Sequence, residues 1–227
     1  MDKDFVRNVE LYSKWGSSEG PPPPNASCQQ DDSASLLDYE SDEHDETKTL
    51  RVLLHDRWIE QGDARFCLSF VGGTDNHMGQ PGNDQEKSCT NSDTVMEYRG
   101  SVTGIAAPSI SRASLWSGLW NRHTLLATTG PTRLPLLVAA ETGGKHALMG
   151  ELAQHAGSAR LIALTDPGAD ELEVILDGCL HQTVKGSALD LDIPLSSGRH
   201  YVYVRATRQD AGGLRSQSWS SPVYLAG

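Results

Sequence analysis

The chain has 227 residues, of which 37% are apolar and 22 are glycine. That composition is globular, too long for a disulfide-stapled miniprotein and too apolar for wholesale disorder. The net charge of −11 is concentrated in one stretch, Asp31, Asp32, Asp38, Glu40, Asp42, Glu43, Asp45 and Glu46, with no Lys or Arg among them.

This acidic stretch reads as a solvated loop, and with no basic surface elsewhere nucleic acid is not an expected partner. No run approaches the ~20 apolar residues of a membrane span, so no membrane partner is expected either. Met-Asp-Lys-Asp-Phe is not a secretory leader, and a cytoplasmic location is the default. The four cysteines, Cys28, Cys67, Cys89 and Cys179, form no Cys-x-x-Cys pair and read as reduced structural thiols.

In chain order, Phe5–Ser13 is aromatic and β-branched and predicts a strand. Trp15-Gly16 and the prolines at 21–24 interrupt it, and 28–46 is loop. Leu50, Leu53, Leu54, Trp58 and Ile59 fall at helical spacing, with Gly62 as a stop. Phe66–Val71 is a compact apolar strand running into Gly72-Gly73-Thr74-Asp75-Asn76-His77. After a second polar loop, Val102–Ala107 reads as another buried strand. Ser109 or Ser111 caps a helix bearing Leu115, Trp116, Leu119 and Trp120. This order implies an α/β fold, part of a barrel or sheet, over residues 1–130. From 131 to 227 the texture changes to short strands at 134–142, 160–165, 171–176, 188–193, 200–207 and 218–225. Turns such as Asp177-Gly178 and Gly212-Gly213 separate them, which predicts a sandwich-like β module.

The chemistry centres on Asp75 and His77. A carboxylate and an imidazole two residues apart, at the end of an apolar strand, can share one Zn²⁺, Mn²⁺ or Fe²⁺ ion. Taken alone, Asp-x-His is also an ordinary capped turn with a surface histidine. Glu10 near the end of the opening strand is a second carboxylate. Arg122 and His123, past the aromatic helix, either line a pocket or cap that helix. No Gly-x-Ser-x-Gly elbow, Cys-His signature or phosphate loop is present.

Four blocks extend this reading: Val9–Glu19; Phe70–Gly82; Arg112–Trp116 with Arg122–Gly130; and Trp219–Tyr224. Together they resemble the PHP-type metallohydrolases, nearest the carbaryl-hydrolase-like branch. The resemblance implies a distorted α/β barrel whose metal-bound hydroxide attacks an ester, carbamate or phosphoester of a small-molecule substrate. It assigns Asp75 and His77 to the family's final ligand pair, and Glu10 to its ligand-bearing glutamate. Asn76, Arg122, His123 and Arg133 stand as pocket residues. The family's opening His-x-His strand has no counterpart here, and the turn before Arg133 is longer than usual. The expectation is therefore a partial PHP-like barrel holding a divalent ion incompletely. It would self-associate or be completed by an N-terminal half. The alternative is a non-catalytic remnant with an incomplete metal site, whose β module binds a partner or merely packs.

Overall fold

The computed structural model describes residues 6–13, 16–24, 49–76, 79, 80, 82, 83 and 100–227. Its strands are β1 (Asn8–Ser13), β2 (Gly16–Ser17), β3 (Ser69–Gly72), β4 (Ser101–Ile105), β5 (Thr124–Thr128), β6 (Leu136–Thr142), β7 (Lys145–Leu148) and β8 (Leu152–Gln154). Then come β9 (Ser158–Thr165), β10 (Glu171–Leu176), β11 (Cys179–Lys185), β12 (Ala188–Pro194), β13 (Arg199–Gln209), β14 (Arg215–Ser220) and β15 (Val223–Ala226). Helix α1 (Leu50–Leu54) continues as a π turn, His55–Glu60, and α2 spans Arg112–Trp120.

The strands form three sheets. One is β2-β1-β3; the central one runs β11-β10-β13-β14-β5-β4, with β15 pairing β13 and β8; the third is β12-β9-β6-β7. The central sheet is covered on both faces, and β13 shows why. Val202, Val204 and Ala206 point into a core shared with β6, β9 and β12. Tyr201 and Tyr203 point the other way, against Leu11, Tyr12, Leu50, Trp58 and Phe70. A strand buried on both faces reads as a continuous apolar run rather than an alternation. In Tyr201–Ala206 only Arg205 breaks the run, and it is 1% exposed.

This architecture corrects the expected α/β barrel: the molecule is mainly β in several sheets, with only short helices. The decisive register is Ile105↔Thr124, which makes β4 and β5 an antiparallel pair within the central sheet. The segment between them, including α2, leaves and re-enters at the same end of the sheet. A barrel crossover would carry it back along the sheet to start a parallel strand. The aromatic face of α2 accordingly covers little: Trp116 is 62% exposed, and Gly118 is the helix's buried position. Parallel pairing among the described residues is confined to β1–β3 and β15–β8.

The layer containing β1, β3 and α1 is joined to the central sheet through a buried charge network. Glu19, 1% exposed, accepts from Arg51 Nη2 at 2.8 Å, Tyr203 Oη at 2.6 Å, Trp219 Nε1 at 2.9 Å and Arg205 Nη1 at 3.2 Å. Arg205 also forks onto Glu173, its cross-strand neighbour, at 2.8 and 3.1 Å. Burial alone would raise the Glu19 pKa; the cations of Arg51 and Arg205 and the Tyr203 hydroxyl outweigh it and hold it at about 2.

Because that pKa is depressed on folding, Glu19 contributes stability that is present above the ordinary carboxylate pKa. The contribution is lost as pH falls toward about 2. Glu19→Ala leaves buried cations without their partner and is expected to cost about 3–5 kcal/mol in urea denaturation at neutral pH. A loss below about 1 kcal/mol would show that the network does not hold the layers together.

Candidate functional site

The residues that follow β3 are positioned by glycines, though not through unusual backbone angles at those glycines. A methyl group on Gly72 would stand 2.1 Å from Ser101 Oγ and 2.7 Å from the Tyr12 carbonyl. Glycine is therefore required for close approach. Thr103 Oγ1 accepts from the Gly72 N–H and donates to its carbonyl, and Ser101 donates both its N–H and its hydroxyl to this turn. The left-handed residue is Asp75 itself, at φ 50°. For a non-glycine residue that geometry is uncommon and collects at sites where position matters.

Glu10 reaches the same place from β1. It pairs with Val71, and the ladder then shifts register between Glu10 and Tyr12. Such a bulge re-aims a side chain. Here Glu10 is exposed, whereas Leu11, Tyr12 and Ser13 are all buried. Its Oε1 lies 3.6 Å from where a Gly73 Cβ would be. Partial burial of the Glu10 carboxyl and then the negative charge of Asp75 raise its pKa. The two carboxylates are thus close enough to repel each other, at the end of a parallel strand pair. A divalent cation relieves that repulsion, and of the expected ions an all-oxygen pair suits Mn²⁺ best. The two carboxylates supply part of the donor set that such an ion takes.

Asn76 braces the loop beside this pair: its Nδ2 donates to the Asn83 carbonyl at 3.0 Å, and its Oδ1 accepts from the Gln80 N–H at 3.1 Å. The Gly82 N–H donates to Thr74 Oγ1. His77 lies outside the described residues. The remaining expected pocket residues do not join Glu10 and Asp75. Arg122, at φ 67°, donates to the Cys67 carbonyl, and His123 pairs with Glu151 at 2.9 Å. Both precede Thr124, at the end of β5 opposite the Thr128↔Ser101 pair that borders Gly73. Arg133 is exposed between β5 and β6.

Two further groups test for nucleophilic chemistry. Burial pushes the free Cys67 thiol up to about 12, so it carries no thiolate at neutral pH. Cys179 is disulfide-bonded, which corrects the expectation of reduced thiols throughout; Cys28 and Cys89 lie outside the described residues. Asp177, His200 and Ser196 outline a Ser-His-Asp arrangement that the sequence reading missed. His200 Nδ1 stands 2.6 Å from Asp177 Oδ2, and Nε2 stands 3.3 Å from Ser196 Oγ. Nε2 is nearer still, at 3.0 Å, to the Ser196 carbonyl, which only accepts. The ring nitrogen that faces Ser196 is thus engaged by a carbonyl rather than by the serine hydroxyl, which leaves it badly placed to take the serine proton. This relay pins the β12–β13 connection to the Asp177 turn.

Comparison with protein-family models, with curated proteins and with solved structures yields no match. Among the described residues no helix is long and apolar enough to cross a membrane.

The hydrogen bond to Asp177 raises the His200 pKa, against the effect of burial. Its stabilising contribution is therefore full below the ordinary histidine pKa of about 6.5 and is lost as pH rises through the folded value. Thermal melts across that range are expected to fall with increasing pH, and His200→Gln to flatten the decline. An unchanged slope in the variant would assign it to another group.

Proposed function

We propose that Glu10 and Asp75 are protein ligands of a divalent-metal centre serving hydrolysis of an ester, carbamate or phosphoester in a small molecule, in the manner of the PHP-type metallohydrolases that the sequence resembles. The observation that carries this reading is the juxtaposition of the two carboxylates at the end of the parallel β1–β3 pair, one re-aimed by a bulge and the other held in a left-handed turn. His77, two residues beyond Asp75, is the next donor proposed. The α/β barrel is no part of this proposal.

When bound, the ion supplies a hydroxide at neutral pH by lowering the pKa of its water. This chain's residues hold and orient. Ser101 and Thr103 clamp the glycine turn to β4, which fixes Asp75 relative to Glu10. Asn76 keeps the following loop folded against Asn83 and Gln80. A second reading is a metal-binding but non-catalytic protein. It is favoured by the number of carboxylates that converge here among the described residues, two, which falls short of the three protein ligands usual for a catalytic zinc.

The test is calorimetric titration of Mn²⁺ or Zn²⁺ into wild-type chain and into Glu10→Gln/Asp75→Asn, paired with metal-dependent turnover of aryl esters, aryl carbamates and phosphodiesters. The double variant is expected to lose one bound equivalent and all metal-dependent turnover. Binding without turnover in the wild type would support the non-catalytic reading, and undiminished binding in the variant would remove the site altogether. Wild-type affinity is expected to fall on acidification as Glu10, whose pKa is raised, takes up a proton.

A further inference from the structure

A second group of metal-capable side chains lies on other elements and does not depend on the reading above. We propose that the π turn His55–Glu60 is a separate divalent-cation site, in which His55 Nδ1, Asp56 and Glu60 take an ion of the Zn²⁺ class.

The backbone makes the arrangement possible. In an α-helix of 3.6 residues per turn, residues i and i+5 do not share a face. A π turn closes i to i+5. Here the Gln61 N–H reaches the Asp56 carbonyl at 3.2 Å, and residue 60 returns over residue 55. The conformation is held from outside the turn. Trp58 is buried, and its Nε1 donates to the His200 carbonyl at 2.9 Å. Arg199 donates to the carbonyls of Trp58, Ile59 and Glu60 at 2.8–3.1 Å. Gly62, at φ 68°, ends the turn beneath that guanidinium, which leaves no room for a Cβ. The three donors therefore stand on a braced element rather than on a loose loop.

The donors are arranged around a gap. His55 Nδ1 is buried with no hydrogen-bond partner, and its side chain is 12% exposed. It faces Asp56 Oδ1 and Glu60 Oε1, each at 3.8 Å, and all three atoms lie within 4.8 Å of one another. That separation is too long for a hydrogen bond. Donors about 2.1 Å from one ion, at tetrahedral or octahedral angles, are roughly 3.0–3.4 Å apart. Closing the gap around an ion asks for movements of up to about one ångström from the carboxylates of Asp56 and Glu60. These side chains are 47% and 50% exposed and free to adjust. An ion also satisfies the buried nitrogen, which otherwise has no hydrogen-bond partner. One imidazole with two carboxylates matches the His₂-Glu style of zinc ligation more closely than the all-oxygen shells of Ca²⁺ or Mg²⁺. Three protein donors leave a coordination position for water.

The test uses the full chain, freed of metal and labelled with ¹⁵N-histidine, with Zn²⁺ as the probe. The Glu10→Gln/Asp75→Asn background removes the first site, so the failure of either site is read separately. One Zn²⁺ equivalent is expected to remain in that background and to shift the His55 ring Nδ1 resonance, assigned by its loss in His55→Gln. Adding Asp56→Asn and Glu60→Gln, both exposed and isosteric, is expected to weaken binding at least ~10-fold without lowering the melting temperature of the metal-free chain. A His55 ring resonance unmoved at saturating Zn²⁺, or Zn²⁺ affinity unchanged by the two carboxylate substitutions, overturns the proposal.

Discussion

Glu19 is the constraint on which the arrangement of layers depends. A lone carboxylate with 1% exposure is prohibitively costly, so its burial is possible only where cations and hydroxyls converge. Those partners come from three places: Arg51 from α1, Tyr203 and Arg205 from β13, and Trp219 from β14. With Glu173 the group balances two carboxylates against two guanidinium ions. Removing a charged member strands its counter-charge, whereas the intact set fixes where the chain after β2 and helix α1 sit on the central sheet.

That docking gives the central sheet its second covered face, and it places the carboxylate pair. β1 and β3 lie against Tyr203 and Trp219 through Phe70 and Tyr12, with the Phe70 and Tyr203 rings edge-on at 5.3 Å and Tyr12 stacked on Trp219 at 5.7 Å. Glu10 and Asp75 project from the outer end of this packed pair. The turn between them and the sheet is stitched by Ser101 and Thr103 from β4. Rigid packing beneath and a clamped turn above are what a ligand site on a short two-strand ladder requires. The π turn is likewise braced, by Trp58 and Arg199.

Much of the local structure was legible. Leu50, Leu53, Leu54, Trp58 and Ile59 marked a helical segment, and it runs from Leu50 to Glu60 before Gly62 stops it. Asp177-Gly178, both at positive φ, makes the β10–β11 hairpin turn that such a pair favours. The expected strand at 218–225 is two, parted at Ser221-Pro222, and β7, β8 and β11 are too short or too polar to announce themselves. The fold class was not legible, because an apolar run such as Val102–Ala107 suits a parallel or an antiparallel neighbour equally well. The choice is made by the Ile105↔Thr124 contact across a connection that contains a helix. Glu10 and Asp75 could be singled out from their positions at strand ends. Arg122 and His123 could not be placed, since they sit at the far end of β5, and neither the π turn nor the burial of Glu19 leaves a mark in residue spacing.

The charge network also orders events during synthesis. Glu19 and Tyr203, whose side chains meet at 2.6 Å, are 184 residues apart. At roughly 5–20 residues per second, Glu19 and Arg51 wait on the order of ten to forty seconds before β13 exists to receive them. Until then these charges stay hydrated, and Leu11, Leu50 and Phe70 have no sheet to cover. The layer nearest the start of the sequence is thus among the last to close, and a cell making this protein must keep that segment from other partners for the interval.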